Sequence, residues 1–204
     1  MKIRYKDLKM ILEEEKEIND DILVNKRFTD VVFDKNIVGV SFDNCEFVNC
    51  IFKCPIKRST FLNCKFYKCE MSNIIIERIG FHSCLFDNNH AVGTNYIDNM
   101  FKNTIFSNSH MKLSIFSGST FKSVDIVETN ISQSNISSCS FESEVVFDQC
   151  DAIELEVLGS SLSGVDVSTS KIEGLVISPE GVKGLIVTEV QAIDLISLLG
   201  VVIK

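Results

Sequence analysis

The sequence predicts an all-β solenoid of about eight four-sided coils, with a helix at each end. Two observations predict it. All 15 phenylalanines of the 204-residue chain fall on one five-residue beat, which is unbroken from Phe61 to Phe141. It runs Phe61, Phe66, Met71, Ile76, Phe81, Phe86, Ala91, Tyr96, Phe101, Phe106, Met111, Phe116, Phe121, Ile126, Ile131, Ile136, Phe141. The beat also holds for Phe42, Phe47 and Phe52, and it restarts at Phe147 after a one-residue slip. Two positions before each beat, a second column is mostly small: Ser59, Cys64, Cys69, Cys84, Thr94, Thr104, Ser109, Ser114, Ser119, Thr129, Ser134 and Cys139.

A period of five matches neither the 3.6 of a helix nor the 2 of a flat strand. It suits a coil whose sides are single pentapeptides. With four sides per turn, residues about 20 apart stack. Beat residues four repeats apart read Phe28, Phe47, Phe66, Phe86, Phe106, Ile126, Phe147, Val167. The adjoining ladder reads Phe42, Phe61, Phe81, Phe101, Phe121, Phe141, Leu162, Val182. The other two start Phe33, Phe52, Met71 and Val38, Ile56, Ile76. Steps of four residues at Val38 to Phe42 and Phe52 to Ile56, and of six at Phe141 to Phe147, read as deletions or bulges. The beat positions and the small column point inward, and the other three positions face water. With strands about 4.8 Å apart, residues 28–187 make a rod about 38 Å long.

A solenoid has a raw edge at each end and needs caps. Over residues 6–18, Leu8, Ile11, Leu12 and Ile18 form the apolar stripe of a helix starting at Asp7, which makes residues 1–27 a helical cap. Over residues 188–199 a second helix is expected, ended by Gly200. Its tail is too apolar for one small cap. Val190, Ile193, Leu195, Ile196, Leu198, Leu199, Val201 and Ile203 form a candidate dimer interface within residues 188–204.

Nothing resembles a signal peptide or a membrane span, so a cytoplasmic protein is expected. All eight cysteines fall in the small column, so they are read as reduced structural thiols rather than disulfide or metal ligands. Net charge is −8, unevenly spread. Residues 1–27 hold seven basic and seven acidic groups, residues 28–122 ten and eight, and residues 123–204 three and thirteen. The acids of the last stretch include Asp125, Glu128, Glu142, Glu144, Asp148, Asp151, Glu154, Glu156, Asp166 and Glu173. None occupies an inward column, so all are expected on the surface. Two readings stand for them: a solvated face that keeps a rod soluble, or a surface that attracts a cationic groove. Direct binding of nucleic acid is disfavoured, because phosphates require clustered Lys and Arg.

The segments Val124-Asp125-Ile126, Thr129-Asn130-Ile131, Ser134-Asn135-Ile136 and Val165-Asp166-Val167 resemble the loose consensus A(D/N)LXX of the pentapeptide-repeat family. That resemblance implies a right-handed quadrilateral β-helix and says little about function. The tail narrows it: Gly181-Val182-Lys183, Gln191-Ala192, Leu195 and Leu199-Gly200-Val201 resemble the carboxy-terminus of the Qnr and MfpA-like quinolone-resistance group. The implied protein dimerises through this end into an acidic rod of roughly B-DNA width. It occupies the DNA-binding saddle of DNA gyrase, and its exposed acids meet the saddle's Arg and Lys. The beat between Ile56 and Phe141 leaves no room for the projecting loops that many of that group carry, which bears on drug protection more than on gyrase binding.

Catalysis needs a pocket with converging polar groups, and a coil filled by aromatic rings offers none. His82, His90 and His110 each sit beside a beat residue and face out; His90 and His110 are one coil apart. Neither a Walker loop nor a GxSxG motif is present. No catalytic residue, metal or cofactor is assigned. The expected function is a non-enzymatic DNA mimic that binds gyrase or topoisomerase IV. The alternative is an interaction scaffold or toxin-immunity factor with another protein partner.

Overall fold

The computed structural model describes residues 11–196 and 198. Its backbone winds as a four-sided coil of two- to nine-residue strands, each parallel to the strand one coil away. One face carries the register Phe28, Phe47, Phe66, Phe86, Phe106, Ile126, Phe147. The next is held only by single bridges beyond Phe33 and Phe52. The third runs Ile37, Ile56, Ile76, Tyr96, Phe116, Ile136, Val157, Ile177. The fourth runs Leu23, Phe42, Phe61, Phe81, Phe101, Phe121, Phe141. The fourth face leads directly into the first in the long strands Met100–Ser107, Thr120–Val127 and Ser140–Asp148.

Aromatic stacking fills much of the interior as far as Phe141, and aliphatic side chains such as Ile136, Val157, Leu162 and Ile177 fill the last coils. Phe66 lies 4.7 Å from Phe47 and 4.6 Å from Phe86, ring planes within 6° and 2° of parallel. Across the corner it meets Phe61 nearly edge-on at 5.3 Å. Rings therefore stack offset along the rod and meet edge to face around it, the two favoured geometries for the aromatic quadrupole. A coil spacing near 4.8 Å suits both.

Each side must turn a corner of about 90°, and a left-handed residue two positions after the inward centre makes the turn. Asn25, Asn44, Asn49, Asn63, Asn73, Asn88, Asn103 and Asn108 hold this place with φ between 50° and 62°. Asparagine tolerates that region better than other L-residues, and glycine is freer still. Gly93 takes one such corner (φ 67°), where a Cβ would come within 2.6 Å of the Asn73 Oδ1.

The small column closes the other half of the corner. On the other three faces the short strands leave the amide two positions before many centres without a ladder partner. A side chain one coil further on accepts from it: Asn89 Oδ1 from Cys69 N at 2.7 Å, Ser109 Oγ from Asn89 N at 3.0 Å, Thr129 Oγ1 from Ser109 N at 3.3 Å. The same side chains donate to buried carbonyls, as Asn89 Nδ2 does to Phe66 O at 3.0 Å and Thr94 Oγ1 to Met71 O at 2.6 Å. Among the described residues, no buried side-chain nitrogen or oxygen lacks a hydrogen-bond partner.

Three expectations are corrected. Over residues 6–18 a helix is not what the described part forms: Glu13–Glu15 is a strand, parallel to Lys26–Phe28, with Lys26 Nζ 2.7 Å from Glu13 Oε2. A strand satisfies the raw edge's backbone groups, which a helix laid across it would leave open. Residues 6–10 lie outside the described residues, and the coil register already begins at Leu23. Second, the third-face centre is Ile37 (3% exposed), paired with Ile56, and Val38 points outward (41%). The short step is thus Phe33 to Ile37, followed by a normal five. Third, Asp125 is buried, 8% exposed. Its outward row places it between Ile105 and Val146 of the adjacent coils, and those two aliphatic side chains shield it.

The six-residue step is a bulge: the register shifts between Lys122 and Val124 against the nine-residue strand Ser140–Asp148. At the far end Glu189–Ile196 is the only described helix. Thr188 Oγ1 accepts from Gln191 N at 3.2 Å while Gln191 Oε1 accepts from Thr188 N at 2.8 Å, a reciprocal cap. Gln191 Nε2 donates to Val167 O at 3.0 Å and Ser170 O at 2.8 Å, which docks the helix on the last coil.

Phe66→Ala removes a fully buried ring from the middle of its stack. It should cost about 3–5 kcal/mol, read as a lower denaturation midpoint, and Phe66→Leu should cost less.

Candidate functional site

The described surface divides in two by charge. Toward the amino-terminus, acids pair with bases one coil away: Arg27 Nη2 with Glu46 Oε2 at 2.7 Å, Lys57 Nζ with Glu77 Oε2 at 2.9 Å. Lys57 beside Glu77 holds its carboxyl below the usual range by hydrogen bond and by charge. Charges there cancel locally. Residues 123–187 hold eleven acids and only Lys171 and Lys183 as bases, so such cancellation runs out.

The solenoid register places the acids on all four sides of this half, most densely on two. Asp125, Glu144, Asp148 and Asp166 line one shallow groove of about 300 Å³ on the first face, with Val127, Val146 and Ile186. The bulge delivers Glu144 there. Around the corner, Glu128 and Asp151 line a groove of about 330 Å³ with His110 and Gln149. Glu154 and Glu173 continue onto the second face, both exposed. Glu156 lies exposed on the third face, and Glu142 on the fourth, 3.5 Å from Lys122.

Local hydrogen bonds hold several of these carboxylates without neutralising them. Glu154 Oε2 accepts from Gln133 Nε2 at 2.7 Å and Glu156 Oε2 from Asn135 Nδ2 at 3.1 Å. Asp148 Oδ1 accepts from Thr169 Oγ1 at 2.9 Å, and Asp166 Oδ1 from its own turn at Ser168 N. Of the ten acids named from sequence, Glu128, Glu142, Glu144, Glu154, Glu156 and Glu173 are exposed, Asp148, Asp151 and Asp166 are half-buried, and Asp125 is buried.

The candidate dimer residues divide differently. Val190 and Ile193 stand out from the helix, 73% and 53% exposed. Leu195 and Leu198 turn toward the coil and pack on its core, and Ile196 is half-buried. Leu199, Val201 and Ile203 lie outside the described residues. Gln191, absent from the candidate set, fixes which helix face looks outward; the Thr-x-x-Gln capping pattern at residues 188–191 was the signal for it.

His90 and His110 face out and stack with ring centroids 5.0 Å apart. Among the described residues no group of three or more His, Cys, Asp or Glu is placed to hold a metal ion, and no helix is long and apolar enough to cross a membrane. All eight cysteines are buried and free. Each of seven donates its thiol to carbonyls, as Cys45 does to Leu23 O at 3.4 Å. Burial pushes the Cys84 thiol up to about 12 and the Cys150 thiol up to about 11. Burial also drives Cys64 well up, with its neighbour Cys45 adding to the effect.

Thiol reactivity checks this packing. At pH 8 a disulfide reagent should leave the thiols of the native protein essentially unmodified and titrate all eight after denaturation. Raising the pH through 9, the ordinary thiol value, should favour unfolding through Cys84 and Cys150, whose thiols ionise there in the unfolded chain but not in the folded one. Cys45 and Cys50, held below that value by the neighbouring thiols of Cys64 and Cys69, act in the opposite sense.

No protein-family model matches the chain, and no curated protein matches it. Among solved structures it is similar to QnrB1, a plasmid-mediated fluoroquinolone resistance protein, at 21% identity over 90% of this chain and 97% of that one, TM-score 0.42. It is also similar to HetL, a pentapeptide-repeat protein involved in heterocyst differentiation regulation from Nostoc sp. strain PCC 7120, at 7% identity over 87% of each chain, TM-score 0.41. A third is the pentapeptide-repeat protein Rfr23 from Cyanothece 51142, at 8% identity over 82% of this chain and 92% of that one, TM-score 0.34. By its own repeat and coil, this chain has the pentapeptide-repeat fold.

Proposed function

We propose that this protein is a non-enzymatic DNA mimic: a tail-to-tail dimer in the cytoplasm that binds DNA gyrase or topoisomerase IV in place of DNA, inhibits it, and shields it from fluoroquinolone-type poisons. Charge density carries this reading. Residues 123–187 bear net charge −9. They occupy just over three coils, about 16 Å of rod at the parallel-strand spacing, or one net negative charge per about 1.8 Å. Double-stranded DNA carries one per about 1.7 Å of its axis.

A cationic groove evolved for a duplex recognises that density on a rigid rod more readily than any one residue. Rigidity matters as much as charge, because a coil packed on the buried, mostly aliphatic ladders Ile136, Val157, Ile177 and Ile126, Phe147, Val167 holds its carboxylates in place before binding. The exposed Val190 and Ile193 at the acidic end supply an apolar surface for a two-fold contact. Pairing there joins two acidic halves into one continuous segment about twice as long.

Purified protein should inhibit gyrase supercoiling at low salt and lose potency steeply as salt rises. Reversing charge at Asp148, Asp151, Glu154 and Glu156 together should weaken inhibition at least tenfold, with the coil intact by circular dichroism. Absence of inhibition by wild-type protein at micromolar concentration and low salt overturns the reading.

Val190→Asp with Ile193→Asp should give a monomer by light scattering, without lowering the melting temperature of the coil. A dimer that persists refutes this interface.

A further inference from the structure

We infer that Leu113 is an apolar anchor for the protein partner that covers the acidic half, a contact separate from the carboxylates. The inference rests on the DNA-mimic reading above. It starts from an outlier. The left-handed corner position is occupied by Asn, Asp, Ser, Gln, Glu, Lys, Arg or Gly throughout the described residues, with one exception, Leu113 at φ 62°. A leucine there is strained, because its Cβ crowds the following carbonyl oxygen and its side chain offers no local hydrogen bond in return.

Burial does not offset that strain. Leu113 is 50% exposed, and Ile115, two residues on, is 42% exposed. The corner stack beneath Leu113 is Gly93, whose amide bonds to Lys112 O at 2.9 Å and which has no side chain to pack on it. Ile115 lies between Asn95 and Asn135 in its own row. The pair is thus a small apolar knob within a field of amides, strained and uncovered in the free chain. Strain retained at an exposed apolar residue marks a contact made elsewhere.

Position says which partner. The corner stack above Leu113 continues through Gln133 to Glu154, joined by Gln133 Nε2 to Glu154 Oε2 at 2.7 Å. Those residues lie about 5 and 10 Å further along the rod at the coil spacing. A standard footprint of about 800 Å² is about 28 Å across, so a partner seated on the second-face acids Asp151, Glu154 and Glu173 also covers Leu113. An apolar anchor beside a charged field is the usual division of labour: the field speeds encounter and the anchor slows release.

Substituting asparagine, the residue commonest at this corner, separates strain from contact. Affinity for purified gyrase should be measured across a salt series for wild type, Leu113→Asn and Leu113→Met, with melting temperatures. Leu113→Asn should melt at or above wild type and bind at least tenfold more weakly at every salt, with an unchanged slope against log salt. Leu113→Met should bind within threefold of wild type. Binding of Leu113→Asn within twofold of wild type overturns the anchor and leaves the DNA-mimic reading standing. A wild-type protein with no affinity for gyrase at any salt overturns both. A lowered melting temperature in Leu113→Asn would show that the leucine is structural, and would also overturn the anchor.

Discussion

A parallel coil with sides of five residues turns a corner before any strand is long enough to satisfy itself, so the fold depends on what happens to the backbone at its corners. Two devices recur. Two residues after most inward centres the chain goes left-handed, and asparagine, glycine or, Leu113 aside, another polar residue takes that position. Away from the first face, two residues before many centres, an amide that no strand pairs is accepted by a hydroxyl or amide oxygen one coil on, as in Asn99 N to Ser119 Oγ at 3.1 Å and Ser114 N to Ser134 Oγ at 3.1 Å. A buried amide left alone costs about 1–3 kcal/mol, and the loss would recur at each corner closed this way. The aromatic core therefore supplies attraction, while the small polar column makes that attraction usable.

Cysteine belongs in the same account. A thiol is small enough for the column, and its single S–H lies within reach of two carbonyls, as at Cys64 with Phe42 O and Leu62 O. It accepts poorly, however, and the column shows the consequence. Amides at Cys69, Cys139 and Cys150 are each served by an oxygen from the next coil: Asn89, Ser160 and Ser170. An oxygen one coil on meets the amide donor at these three; elsewhere thiols follow one another, as Cys45, Cys64 and Cys84 do on the first face.

Most of this architecture was legible, because an aromatic beat at an unusual period admits few shapes. The ladders read from spacing alone match the observed register except where two branched residues adjoined. At Ile37 and Val38, composition could not choose, and pairing with Ile56 did. The amino-terminal segment misled for a physical reason. Leu8, Ile11, Leu12 and Ile18 have helical spacing, yet an exposed edge of unpaired carbonyls and amides competes for the chain, and Glu13–Glu15 pairs with it. Asparagine at the corner position was a visible signal that went unread: eight recurrences at one phase of the repeat specify a left-handed turn. Asp125 shows where patterning ends. Its phase is outward, yet it sits in its row between Ile105 and Val146 of the adjacent coils, and only 8% of it remains exposed.

The same geometry links fold to charge. In a globular protein a run of acids scatters over loops, and side-chain motion with counterions blurs the field. In this coil each residue's outward position repeats every twenty or so residues at a fixed rise, so acidic composition in one stretch of sequence becomes charge density along an axis. Nearly neutral sequence in residues 28–122 and strongly acidic sequence in residues 123–187 therefore become two segments of one rod with different electrostatic character. The uncharged core makes this possible: because stability comes from rings and corner hydrogen bonds, the outward positions are free to carry like charges that a less rigid fold would have to separate. Surface repulsion is then tolerated by the scaffold and available to a cationic partner, whose binding relieves it.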